Sequence, residues 1–298
     1  MTRTLAFTLR EYAICDDGCG PYDITTGADG ALWFTLAHHG QIGRLTMEGH
    51  VTRFPVDGAE GLSRIIPGPD GALWFTEFKS HRVGRITLDG RVSSFPIPGE
   101  GGPYGITVGP DGALWFTLLR NDRIGRLTPD GDIREYRLPT TGGFPSAIVT
   151  GADGALWFTL NQANALGRMT LDGTVTLFQL PTPGAAPVGA TAGADAIWFV
   201  EIIAGQVGRM ALDGTVAEFP LPQRDAKPHA IIAGRNGTFW FTEWGGNRVG
   251  RITEAGVIQL YDLPTPASEP HGLTLGPDGA VWIALEKGRV ARLESPHQ

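Results

Sequence analysis

The stretch GADGALWFT, Gly27 to Thr35, returns six times along the chain: GPDGALWFT at 68–76 and again at 109–117, GADGALWFT at 151–159, GADAIWFV at 193–200, GRNGTFWFT at 234–242 and GPDGAVWIA at 276–284. Its tryptophans, Trp33, Trp74, Trp115, Trp157, Trp198, Trp240 and Trp282, stand 41 or 42 residues apart. That period matches the four-stranded blade of a β-propeller and exceeds the repeat of leucine-rich or hexapeptide solenoids. Seven copies predict an all-β, seven-bladed propeller occupying residues 1–298 as a single domain.

Outward from each copy, four short runs recur. An apolar run such as YGITVG (104–109) leads into the turn and ALWFT leaves it. RIGRLT follows, and a second Asp-Gly introduces a run ending in FPLP or a variant of it. Asp-Gly and Asn-Gly supply the positive φ values of tight hairpin turns, and the runs between them are rich in Ile, Val, Thr, Phe and Trp. Each unit therefore reads as a four-stranded antiparallel meander. The seventh stops after RVARLESPHQ (289–298) without an outer strand, while the chain opens with LAFTLREY (5–12), which resembles the missing piece. The two termini are expected to complete one blade together, leaving no unpaired edge in the ring.

Composition agrees with this reading, since 43 glycines and 22 prolines suit many short strands joined by tight turns. The formal net charge is −7 and no Lys/Arg run occurs, which argues against nucleic acid or an anionic membrane as partner. The opening MTRTLAFTLREYAI lacks the apolar core of a signal peptide, and no stretch is long enough to span a bilayer. A cytoplasmic monomer is the expectation. Cys15 and Cys19 share one loop, without the further ligands of a zinc site or the further bridges of a secreted scaffold, and are expected to carry no role.

Residues shared by every unit are explained by folding, so function is sought where the units differ. At the start of the innermost strand, the residue after the recurring proline, or after its equivalent Leu62, runs Tyr22, Ser63, Tyr104, Ser146, Val188, His229 and His271. These positions surround one mouth of the central channel. A symmetric turn centred on Asp278-Gly279 places His271 opposite Glu286, and Glu269, two residues earlier, points to the same face. The equivalent register puts Trp244, the one tryptophan outside the repeat, opposite His229, Phe78 opposite Ser63, Leu119 opposite Tyr104 and Asn161 opposite Ser146. A largely aromatic or apolar mouth with a polar cluster at one side suits a bulky, mostly apolar ligand.

An imidazole flanked by two carboxylates supports two arrangements: a metal held by Glu269 and Glu286 with His271 as a nearby base, or a three-ligand site that includes His271. The first is preferred, with Mg²⁺ as the ion, because it takes few carboxylate ligands and keeps waters. His271 would then remove a proton, and the metal would stabilise the charge left behind. No G-x-S-x-G elbow is present, which leaves covalent catalysis without support.

Over essentially its whole length the chain resembles the streptogramin B lyases, also called virginiamycin B lyases. The resemblance runs through GPYDIT, PYGITVGPDGALWFT, ALWFTLNQANALGRMT, KPHAIIAG, FWFTEWGGNRVGRIT, SEPHGL and VWIALE. Its specific parts are PHA, EPHG and the terminal W-x-A-x-E. It implies an enzyme that opens a cyclic depsipeptide antibiotic by elimination across its ester, conferring resistance. By motif, His271 resembles the base, Glu269 and Glu286 the Mg²⁺ ligands, and His229 a substrate-binding residue. Tyr22, Tyr104, Phe78 and Trp244 are expected to pack against the aromatic groups of the substrate. AHHG after the first WFT, and LSRIIPG in the second unit, depart from the family pattern. The competing readings are a metal-dependent lactone hydrolase of the gluconolactonase type and a non-catalytic binding propeller like the NHL-repeat proteins.

Overall fold

The structure, a computed structural model, describes residues 7–294. Twenty-eight strands, β1 to β28 in chain order, form seven four-stranded antiparallel sheets arranged as blades. The first blade comprises β2 (Pro21–Thr26), β3 (Leu32–Leu36), β4 (Gln41–Leu45) and β5 (Val51–Pro55). The seventh comprises β26 (Pro270–Leu275), β27 (Val281–Leu285), β28 (Arg289–Glu294) and, outermost, β1 (Thr8–Ala13). β1 pairs with β28 from Thr8↔Glu294 to Ala13↔Arg289, so the expected closure by the N-terminal strand is present. Phe7 packs edge-on against Trp240 and Tyr261 of the sixth blade, and Glu11 accepts hydrogen bonds from the backbone N–H and hydroxyl of Thr265. The expected contributions of Leu5 and Ala6 lie outside the described residues.

The repeated aspartate does more than shape a turn. Asp29 Oδ1 accepts from the Trp33 indole N–H at 3.1 Å, its Oδ2 accepts from Arg44 at 2.7 Å, and the Arg44 guanidinium lies 5.8 Å above the Trp33 ring. The same trio recurs as Asp70/Trp74/Arg85, Asp111/Trp115/Arg126, Asp153/Trp157/Arg168 and Asp278/Trp282/Arg292. Burial would raise these carboxyls, but the indole and guanidinium donors outweigh it and hold them below the usual carboxylate range. The glycine of the third strand has an equally direct cause. A Cβ on Gly43 would lie 1.9 Å from the Phe34 ring, which packs flat on that backbone.

First strands of successive blades stand side by side around a channel of about 270 Å³, lined by residues such as Ile24, Ile65, Ile106, Ile148 and Leu273. Blade cores fill the space between sheets, with Trp33, Trp74, Trp115, Trp157 and Trp198 almost fully buried. Cys15 and Cys19, expected to be idle, are joined as a disulfide across the loop before β2, where Cys19 is buried in the core shared by blades one and seven. Folding brings their Cα atoms to 6.3 Å, a proximity that counting ligands in the sequence did not address.

Candidate active site

The mouth is built by a bulge repeated in all seven first strands. In the seventh blade Pro270 pairs with Leu285 and Leu273 with Ile283, so two residues, His271 and Gly272, oppose one. The threonine of each WFT stabilises this bulge and ties it to the next blade. Thr242 Oγ1 accepts from the Ala230 N–H at 3.1 Å and donates to the His271 carbonyl at 2.8 Å. Thr35, Thr76, Thr117 and Thr159 make the equivalent pair of bonds, reaching the carbonyls of Ser63, Tyr104, Ser146 and Val188. Repeat residues thereby set the positions of the variable mouth residues.

The bulge, together with a three-residue turn in place of the expected two, shifts the hairpin register. Gly276 N–H donates to Ala280 at 2.8 Å around a turn with Gly279 in the left-handed region, so Glu286 lies opposite Glu269 rather than His271, its N–H donating to the Glu269 carbonyl at 3.2 Å. By the same slip Trp244 lies opposite Lys227, Phe78 opposite Gly61, Leu119 opposite Gly102 and Asn161 opposite Phe144. The mouth side chains meet between blades as a result. Phe78 reaches the Tyr104 ring edge-on at 6.4 Å, and Trp244 approaches the His271 ring at 6.5 Å.

The expected convergence survives the slip, because side chains at the bulge lean across it. His271 Nε2 lies 2.6 Å from Glu286 Oε2. Hydrogen bonding to His271 is the main cause that lowers the Glu286 carboxyl to about 2, so the carboxylate is ionised and can only accept. The proton between them therefore sits on Nε2. His271 Nδ1 is then the basic nitrogen, and it is buried with no hydrogen-bond partner. Tyr22 lies against this ring with centroids 4.4 Å apart, and its hydroxyl is 2.6 Å from Tyr104 Oη and 3.5 Å from His229 Nε2. His229 stands edge-on to His271 at 4.8 Å. Burial first, then the neighbouring His271 and Arg64, push His229 well below the ordinary imidazole range, so it is neutral. Burial and Tyr104 push the Tyr22 phenol well above its usual value. Tyr22 and Tyr104 thus floor the mouth as a hydrogen-bonded pair.

Several participants were not anticipated. Arg64 and Asp23, second residues past Leu62 and Pro21, form an ion pair at 3.3 Å beneath the tyrosines, with Arg64 6.0 Å below the Tyr104 ring. His38, within the AHHG departure, places Nε2 3.1 Å from Glu286 Oε1 and Nδ1 3.2 Å from the Gly18 carbonyl. Its place next to the seventh blade follows from ring closure, which no local pattern reports. A third signal was available in the sequence. Two residues before each mouth residue the backbone is left-handed in all seven blades: Gly20, Gly61 and Gly102 in the first three, then Phe144, Ala186, Lys227 and Glu269. A non-glycine residue held there costs about 1–3 kcal/mol, and such strain concentrates at functional sites. Glu269 is one of these residues, and Lys227 places its ammonium 4.9 Å from the Trp244 ring.

Among the described residues no three His, Cys, Asp or Glu side chains converge as a metal site. Glu269 and Glu286 do bring their carboxylates within hydrogen-bonding reach of each other. Two carboxylates with water completing the shell would suit Mg²⁺, which would have to share them with the neighbours already present, His271 and His38 on Glu286 and Lys287 at 3.7 Å from Glu269.

An imidazole oriented by a carboxylate, its second nitrogen buried and unpartnered, thus stands at a mostly apolar mouth of a seven-bladed propeller. Residues 7–293 match the Virginiamycin B lyase family, and the chain belongs to that family. A streptogramin B lyase structure is 44% identical, with a TM-score of 0.93 and 97% of each chain covered. A catalytically inactive histidine-to-alanine variant of the virginiamycin B lyase from Staphylococcus aureus, solved with quinupristin, is 40% identical at a TM-score of 0.93, covering 97% of this chain and all of that one. The virginiamycin B lyase of Saccharopolyspora erythraea is 54% identical over 57 residues, a match that spans 19% of this chain and 19% of that relative.

Proposed function

We propose that this protein is a carbon–oxygen lyase that linearises streptogramin B-type cyclic depsipeptides at their threonine ester, by β-elimination rather than hydrolysis, and so confers resistance. The observation that carries the reading is the 2.6 Å bond between His271 Nε2 and Glu286 Oε2, which leaves Nδ1 without a partner. A relative 40% identical over nearly the whole chain is inactivated by a histidine-to-alanine change and binds quinupristin, which supports a histidine as the reacting group.

In the proposed step His271 Nδ1 takes the α-proton of the threonine residue. The C–H electron pair forms the Cα=Cβ bond, the Cβ–O bond breaks, and the ester carboxylate departs with the oxygen's electron pair. A linear peptide ending in dehydrobutyrine results. Glu286 holds the imidazole in the required tautomer and stabilises the imidazolium that forms. His229, neutral and edge-on to His271, and Trp244, 6.5 Å from the same ring, would wall the substrate beside the base. Mg²⁺ held by Glu269 and Glu286 would, when bound, offset negative charge developing on the ester carbonyl.

The test is incubation with quinupristin and Mg²⁺ followed by mass spectrometry. Elimination opens the ring without change of mass and creates an ultraviolet-absorbing dehydroamino acid. Hydrolysis would add the mass of one water and favour a lactonase, whereas an intact ring would refute both enzymatic readings.

A further inference from the structure

Opposite His271 across the mouth, blades two to six enclose a recess of about 250 Å³. Its walls are the apolar side chains of Leu119, Phe144, Val188 and Ile202, with Arg64 and His229 at the end nearer the tyrosine pair. The recess is continuous with the proposed site, because His229 lines it and also stands 4.8 Å from His271. Its volume exceeds that of a single phenyl ring and its lining is chiefly hydrocarbon.

Phe144 supplies a second, independent observation. It occupies the left-handed position that blades one to three give to glycine, at φ 59°, and 40% of its surface remains exposed. A phenylalanine gains little from core packing when so exposed, and its backbone conformation is one that glycine would adopt without strain. Folding therefore favours glycine here. In the seventh blade the same position carries Glu269, beside the proposed base.

We infer that this recess is the specificity pocket of the enzyme: it takes a bulky aromatic side chain of the depsipeptide ring, and Phe144 is its selecting wall. Seating that side chain here lays the ring across the tyrosine floor and brings its far side to blades six and seven. The inference rests on the lyase reading for the identity of the ligand, while the recess itself is tested by binding.

The probe is quinupristin, titrated calorimetrically against His271→Ala so that the ligand is not consumed, and compared with a ring analogue bearing alanine in place of its aromatic residue. The alanine analogue should bind about tenfold more weakly. Adding Phe144→Gly should leave the melting temperature unchanged or higher and weaken quinupristin about tenfold, while affecting the alanine analogue far less. Val188→Trp, which fills the recess from another wall, should likewise remove the preference for the aromatic ring. A purely structural role for Phe144 predicts the reverse, with stability altered and both affinities intact. Equal affinities for the two ligands, or a preference that persists in both variants, would overturn the inference even if wild type linearises quinupristin. A lost preference together with an intact ring in the wild-type product assay would instead overturn the lyase reading and leave the pocket standing.

Discussion

The fifth blade carries a buried acid whose contribution to stability can be worked from its repeat neighbours. At the end of the second strand, blades two and six place Glu77 and Glu243, each fully buried and paired with an arginine five residues on, Arg82 and Arg248, both at 2.6 Å. Blade five has Glu201 at that place, also fully buried, but Gln206 instead of arginine. Burial, opposed by the Gln206 hydrogen bond and reinforced by nearby Glu218, pushes the Glu201 carboxyl from 4.5 up to about 7. A rise of that size corresponds to about 3 kcal/mol. Because the folded pKa lies above the unfolded one, this contribution is full below 4.5 and lost as pH climbs through about 7. Glu201→Gln keeps the acceptor for Gln206 and removes the titration. Urea unfolding of both proteins at about pH 5 and about pH 8.5 should therefore show wild type losing about 2.5 kcal/mol relative to the variant as pH rises, part of the effect having already gone at pH 5. Gln206→Arg should recover part of that loss by supplying the missing cation. Parallel stability profiles for wild type and Glu201→Gln would refute the reasoning.

Five further outcomes are expected. His271→Ala should lower kcat by about 10²–10⁴ while leaving the fold intact, measured by ring-opening rate and circular dichroism. Glu286→Gln should lower kcat through loss of the acceptor for Nε2, and Glu269→Gln should mainly raise the Mg²⁺ concentration needed for half-maximal rate. Chelation should stop turnover, with recovery on adding Mg²⁺, whereas a rate unaffected by chelator would remove the metal from the mechanism. Deleting residues 1–12 should lower the melting temperature and promote aggregation by leaving β28 as an open edge. An unchanged melting temperature would show that the ring holds without the N-terminal strand.

Much of the fold was legible because each blade repeats the same local solution. Seven tryptophans at 41- or 42-residue spacing gave the blade number, the four recurring runs the strand order, and the incomplete seventh unit with LAFTLREY at 5–12 the closure. The site was legible for a related reason, since subtracting the repeat left His229, His271, Glu269 and Glu286 as residues that folding does not demand. Register was not legible. The bulge at 271–272 interrupts the pairing, and its His271 carbonyl bonds to Thr242 of the preceding blade, a contact between residues 29 apart. The three-residue turn compounded the error, so Phe78 and Trp244 meet Tyr104 and His271 of the next blade, while His271 still reaches Glu286 within its own.

Sequence by itself determined the propeller, its closure by β1 and the chemistry gathered at one mouth, because periodicity and departures from it are properties of the chain. Tertiary structure decided which groups touch across blades. Closing the ring brings His38 of the first blade to Glu286 of the seventh and lays Tyr22, tilted, against His271. Burial then keeps His229 neutral, while the 2.6 Å contact with Glu286 leaves Nδ1 of His271 as the basic nitrogen. Desolvation and proximity of this kind arise only when distant blades share a low-dielectric mouth, and no run of neighbouring residues encodes them.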